Sequence, residues 1–126
     1  MRRPEQALQI AVAGYLALAL KPPSFWSSID HGAGKMTPAS AGLRKARGVK
    51  PGLPDVLVMH PIFGHTLVIG VELKATVGRL SPSQHAVGAA FLGCNSHYFV
   101  ARSVDEVEGF LRGVGIPLSA RVAREG

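Results

Sequence analysis

The amino-acid sequence predicts a single α/β domain, a small mixed β-sheet flanked by helices. Two stretches, residues 52–59 and 67–74, carry β-branched and aliphatic residues with the alternation of strands. Helix-start signals stand around them: Pro4, the Ser81-Pro82-Ser83-Gln84 run and the Ser103-Val104-Asp105-Glu106 run. Helical and strand segments interleave along 126 residues with no internal repeat, a length that suits one core.

Pro4 suits the first turn of a helix that runs to about residue 20 and is stopped by Pro22-Pro23. Glu5, Leu8, Gln9, Val12 and Leu16 recur at the spacing of one helical stripe, so Glu5 begins a face that is otherwise apolar. That glutamate either complements the helix dipole or is aimed at a polar site. Arg2-Arg3 followed by the aliphatic run 10–20 imitates a secretory leader. Against export stand Glu5, Gln6 and Gln9, and the run is too short to span a bilayer, so a buried first helix is expected. Residues 24–30 read as a strand with Phe25, Ser27 and Ile29 on one face.

Residues 32–51 lack an apolar period and hold Lys35, Arg44, Lys45, Arg47 and Lys50 with no acid. So long a segment in a compact domain is either a solvated basic loop or an arm for a polyanion, ordered on binding, with a short helix near 39–46. Strands at 55–60 and 66–74 then form an antiparallel hairpin through a turn over 61–65. Ser81-Pro82-Ser83-Gln84 opens a helix that Gly93 closes, with Cys94 as apolar packing. Residues 97–102 form a further strand. The second S-x-x-E box starts a helix with Val107, Phe110, Leu111 and Val114 inward, which makes Asp105 and Glu106 capping or surface charges. Residues 115–126 read as a tail or irregular segment.

The chemistry concentrates in Asp55 and the Glu72-Leu73-Lys74 triplet. Alternation puts Glu72 and Lys74 on one face of their strand, opposite Leu67, Ile69, Val71 and Leu73. Charged groups at the end of an apolar strand are costly unless paired or bound to a cation. A hard divalent cation wants oxygen ligands, which Asp55, Glu72 and the Leu73 carbonyl offer, and it promotes phosphodiester cleavage. Lys74 would then orient the attacking water or steady the phosphate. Gly70, on the Glu72 face, leaves room for a backbone to approach. An E-x-K triplet alone also fits an ordinary surface ion pair; the Gly-x-Pro-Asp one strand earlier narrows the choice. Gln84 is a capping-box side chain or reaches a phosphate or the water. Arg79 clamps a phosphate or is solvated. His31 ends a strand and either faces the cleft or merely terminates it. His60, His65, His85 and His97 have no metal-ligand spacing.

Pro54-Asp55 followed by Glu72-Leu73-Lys74 resembles the PD-(D/E)XK nuclease pattern. With Glu5-Gln6, Gly52-Leu53-Pro54-Asp55 and Gly78-Arg79-Leu80-Ser81-Pro82-Ser83-Gln84 in the same order, the chain is similar to the VRR-NUC (virus-type replication-repair nuclease) branch from about residue 5 to 102. The resemblance implies a restriction-endonuclease-like PD-(D/E)XK core with Mg²⁺ or Mn²⁺ as cofactor. It implies Glu5, Asp55, Glu72, Lys74 and Gln84 as the catalytic set, with metal at Asp55, Glu72 and Leu73. The whole chain, 1–126, is then one nuclease module acting as a homodimer on branched or otherwise structured DNA, in a bacterial or phage-infected cytoplasm and away from membranes. His31, Lys35, Arg44, Lys45, Arg47, Lys50 and Arg79 are the expected DNA contacts. The net charge of +6 fits a polyanionic partner. The alternatives are a catalytically silent DNA-binding module of the same fold and, further off, an exported basic protein.

Overall fold

The structure, a computed structural model, describes residues 4–31 and 36–122. Its elements are α1 (Pro4–Ala19), β1 (Phe25–Ser28), α2 (Pro38–Ala46), β2 (Val56–Ile62), β3 (His65–Leu73), α3 (Pro82–Gly93), β4 (His97–Ala101) and α4 (Val104–Gly113). The strands lie in the order β1-β2-β3-β4. β1 and β2 pair antiparallel, as do β2 and β3, whereas β3 and β4 are parallel. A parallel pair cannot be joined by a tight turn, and α3 is the crossover that joins this one. The mixed sheet between helices is the predicted fold class.

Register explains the core. Val56 pairs with Val71 and Val58 with Ile69, so these side chains share a face. Leu73 and Ala101 extend it. That face meets Val12, Leu16 and Ala19 of α1 and Val107 and Leu111 of α4, all buried. Phe99 of β4 stacks on Phe110 of α4 with ring centroids 4.6 Å apart. The opposite face carries Gly70, Glu72 and Tyr98 and is covered by α3. Gly70 makes room for side chains rather than for backbone: the Phe91 ring edge and Pro54 lie 2.8 and 3.0 Å from where its Cβ would be.

Several expectations are corrected. The hairpin turn is two residues, Phe63 and Gly64, with φ of 48° and 79°, so the strands run further than the sequence suggests. One expectation in this stretch holds: the short helix near 39–46 is α2, and it is capped. Thr37 and Ser40 close a reciprocal capping box around Pro38, and none of the α2 side chains is buried. Lys35 lies outside the described residues. Cys94 caps α3 and is exposed, not packed. Of the stretch read as a tail or an irregular segment, residues 115–122 are irregular but tied down: Gly115, at φ 91°, turns the chain back, and Ile116 is buried. Ser119 donates to the Ala19 carbonyl from its N–H (2.9 Å), and Tyr15 donates to the Ala120 carbonyl at 2.9 Å. Beneath them Glu108 is buried and accepts two bonds from Arg112 at 2.9 and 3.1 Å.

Gly52 locks the approach to β2 against α3. It has φ +87°, and a Cβ there would lie 2.4 Å from the Ser83 carbonyl oxygen and 2.8 Å from the Gln84 nitrogen. Gly48 has nearly the same φ, +85°, in open space. Gly52→Ala should therefore cost clearly more than the roughly 1–2 kcal/mol of left-handed backbone strain that Gly48→Ala incurs. Urea denaturation of the two variants measures the difference; equal losses would show that the collision with α3 is relieved without cost.

Candidate active site

Asp55 is the residue before β2, and its backbone is held from several sides. Its N–H donates to the Val71 carbonyl (3.0 Å), and its carbonyl accepts from the Ile29 N–H (2.9 Å) and, at 3.5 Å, from Gln9 Nε2. Its side chain accepts from the Leu73 N–H through Oδ2 at 2.8 Å, and His31 Nε2 stands 3.4 Å from Oδ1. His31 thus reaches the site instead of merely ending a strand.

Glu72 faces Asp55. The Val56–Val71 pairing, carried one step further, sets Asp55 opposite Glu72 where β2 and β3 part. Glu72 is 2% exposed. Its Oε1 accepts from Gln84 Nε2 at 2.7 Å, while Oε2 is buried with no hydrogen-bond partner among the described residues. Burial, then the Asp55 charge, push the Glu72 carboxyl up to about 8, with Lys74 pulling the other way. Two ionised carboxylates so placed repel, so a proton or a cation belongs between them.

Gln84 takes its capping role and also meets Glu72. Its Oε1 accepts from the Ser81 N–H at 2.9 Å and its N–H donates to Ser81 Oγ at 3.2 Å, the capping box that starts α3. The same amide offers its NH₂ to Glu72. A primary amide has an acceptor at one end and donors at the other, so one side chain serves helix and site together.

Lys74 follows β3, and its N–H donates to the Ala101 carbonyl at 3.0 Å, so β4 fixes its backbone. Glu5 comes from the exposed start of α1 and meets the Lys74 stem over Gly78. A Cβ on Gly78 would lie 3.1 Å from Glu5 Oε1 and 3.3 Å from Lys74 Cδ. Glu5 is thus exposed, not buried-facing, yet its carboxylate is among the charges that act on Glu72. Leu73 contributes its N–H to Asp55. In a strand a residue's N–H and C=O leave on the same side, so its carbonyl belongs to that side too.

The fold therefore gathers Glu5, Asp55, Glu72, Lys74, Gln84 and His31. It does not add the basic segment to this cluster: Lys45, Arg47 and Lys50 are exposed and Arg44 half-buried on or after α2, and Arg79 is exposed beside Gly78. Three residues escape a reading of the sequence. Gln9 is visible there only as a stripe position. Arg102 donates from Nη1 to the Ala75 carbonyl at 2.6 Å and the Thr76 carbonyl at 3.4 Å, and so braces the turn after Lys74. Tyr98 has a buried hydroxyl with no partner among the described residues. Burial, then the charges of Glu72 and Asp55, push its pKa up to about 12. No local pattern marks Tyr98 or Arg102, because both act across the β3–β4 pairing.

The fold is thus a mixed α/β domain whose parting central strands present a carboxylate pair near a lysine. Residues 27–105 match the VRR-NUC domain family, and the chain belongs to it: a nuclease-type domain acting on DNA. The match begins after α1, so Glu5 lies outside it. A solved structure described as a VRR_NUC domain shares the fold, with a TM-score of 0.57 at 18% identity over 88% of this chain and 97% of that one. No curated protein matches the chain. No helix among the described residues is long and apolar enough to cross a membrane.

The raised Glu72 pKa has a consequence for folding. Without metal, the folded protein keeps a proton on Glu72 up to about pH 8, whereas the unfolded chain loses it near 4.5. The folded state binds more protons across that window, so Glu72's contribution is full below the lower value and is lost as pH rises through the upper one. Denaturation in chelator should show wild-type stability falling between pH 5 and 8 relative to Glu72→Gln. Parallel curves for the two proteins would contradict the buried carboxylate pair.

Proposed function

We propose that this chain is a metal-dependent DNA endonuclease that hydrolyses phosphodiester bonds, with Mg²⁺ or Mn²⁺ held by Asp55, Glu72 and the Leu73 carbonyl. The observation that carries this reading is Glu72 Oε2, a buried acceptor with no donor among the described residues, set beside a second carboxylate. Such a donor set fits a hard cation, which replaces the proton that the pair otherwise shares. Among the described residues no three His, Cys, Asp or Glu side chains form a metal cage, so the reading rests on two carboxylates and a main-chain oxygen. When bound, the ion supplies Lewis-acid polarisation of the phosphate and eases deprotonation of water.

The chain's own residues do the rest. Asp55 and Glu72 are locked by the Leu73 N–H and by Gln84, so they need little reorganisation to act as ligands. Lys74 Nζ orients the attacking water and places a positive charge against the phosphate, where charge accumulates as the bond breaks. Glu5, near the Lys74 stem, steadies that side chain and the water. His31, beside Asp55, faces the DNA. Arg79 clamps a phosphate. The cations Arg44, Lys45, Arg47 and Lys50, with Lys35, grip the backbone by charge and shape rather than by base sequence.

Each chain offers one such site, so cutting both strands of a duplex or junction calls for two copies. A homodimer on branched DNA satisfies that need. The outer side of α1 supports it: Ile10 and Leu18 are 49% and 66% exposed, an apolar surface available to a second copy. Light scattering reads the mass directly.

The deciding experiment is cleavage of labelled duplex, flap and four-way-junction DNA with Mg²⁺, with Mn²⁺ and with chelator. Cutting should need the metal and favour branched shapes. Asp55→Ala and Lys74→Ala should each lower the rate by about 10²-fold or more while the variants still fold and bind DNA. Wild-type rates in both variants would overturn the site. Arg44→Ala and Arg47→Ala should weaken binding alike on all sequences and lower the salt slope by about one for each phosphate that is no longer neutralised. An unchanged slope, measured by fluorescence anisotropy, would take the DNA off the α2 segment.

A further inference from the structure

Two buried side-chain polar atoms lack a protein partner among the described residues: Glu72 Oε2 and Tyr98 Oη. We propose that they belong together, and that Tyr98 is a positioning residue whose hydroxyl donates to Glu72 Oε2 through one shared water. The proposal deepens the metal reading above and rests on it for its functional consequence.

Register brings the two side chains to one face. Tyr98 pairs with Gly70 and Val100 with Glu72, so Tyr98 lies one strand over and two residues back from Glu72, on the same side of the sheet. A diagonal neighbour of this kind is within reach of an aromatic side chain. The position opposite Tyr98 is a glycine, which leaves the ring no side chain of its own pair to avoid. Above it, α3 is cut to fit: a Cβ on Gly88 would lie 2.9 Å from two Tyr98 ring carbons, and Phe91 closes the side with its centroid 5.8 Å away. Gly88 stands one helical turn beyond Gln84, the residue that donates to Glu72 Oε1. Successive turns of α3 therefore cover the Gln84–Glu72 bond and the tyrosine ring.

The chemistry is complementary. Glu72 has one oxygen with a donor and one without, and Tyr98 has a donor with no acceptor. Leaving either unmade in a buried place is costly, whereas one bridging water settles both. Two donors, one on each oxygen, fix the plane of the carboxylate and leave the second lone pair of Oε2 turned to Asp55. Outer partners of this kind hold metal-binding carboxylates in place, and losing one weakens metal binding about 10- to 100-fold.

The test combines Tyr98→Phe with Glu72→Gln in a double-mutant cycle of melting temperatures in chelator, and Mn²⁺ calorimetry on wild type and Tyr98→Phe without DNA. The link predicts non-additive melting shifts and a Mn²⁺ dissociation constant about tenfold higher in Tyr98→Phe. A tyrosine that merely fills space predicts additive shifts, a higher melting temperature once the orphan hydroxyl is gone, and unchanged Mn²⁺ affinity. Additive shifts overturn the link whatever the metal does. Non-additive shifts with unchanged affinity overturn the positioning role. Non-additive shifts in a wild type that takes up no Mn²⁺ leave the link standing and overturn only the metal reading.

Discussion

The structure turns on two carboxylates, Asp55 and Glu72, brought face to face in a place sheltered from water. Left to themselves they repel, and burial makes the repulsion worse, since the surrounding medium screens it poorly. Glu72 answers by holding its proton far above the ordinary range of a glutamate. Burial and hydrogen bonding otherwise serve to keep the pair in place. A domain of this size can bear such a strained arrangement because the opposite face of the sheet carries a continuous apolar core.

The sheet topology explains why the pair forms where it does. β2 and β3 are a long antiparallel hairpin, and side chains at its open end converge just where its ladder stops. β4 joins in parallel and takes the N–H of Lys74, so the lysine leaves the sheet at a fixed point beside the carboxylates. The crossover needed to make β4 parallel is α3, and its capped first turn delivers Gln84 to Glu72. One topological requirement thus sets the position of a catalytic candidate and of its partner. Gly52, Gly70 and Gly88 are points at which a neighbouring atom comes within 3.0 Å of where a Cβ would stand, and at Gly78 the Glu5 carboxylate is only 3.1 Å away.

The parts of this arrangement written locally are legible in the sequence. Alternation shows the two faces of β3, and Ser81-Pro82 marks the start of α3. The spacing of Asp55, Glu72 and Lys74 is a property of two short segments. The hairpin turn is legible only to within residues 61–65, because a phenylalanine at positive φ gives no signal for its exact position, and α2 is only half visible because its Thr37 cap precedes a helix with no apolar face. Glu108 looks like a surface charge along the chain; only the return at Gly115 buries it beside Arg112. Tyr98 and Arg102 depend on which strands become neighbours, information that no window along the chain contains. Gln84 reads in the sequence as a cap or as a contact to phosphate or water; its amide caps α3 at one end and meets Glu72 at the other.

The most direct test of the account is anomalous scattering from crystals of the protein grown with Mn²⁺. A single strong peak between Glu72 Oε2 and the Asp55 carboxylate, within bonding distance of both, is the expected result. Full Mn²⁺ exposure with no peak there, and the two carboxylates still face to face, would contradict the claim that this pair is built to hold a cation.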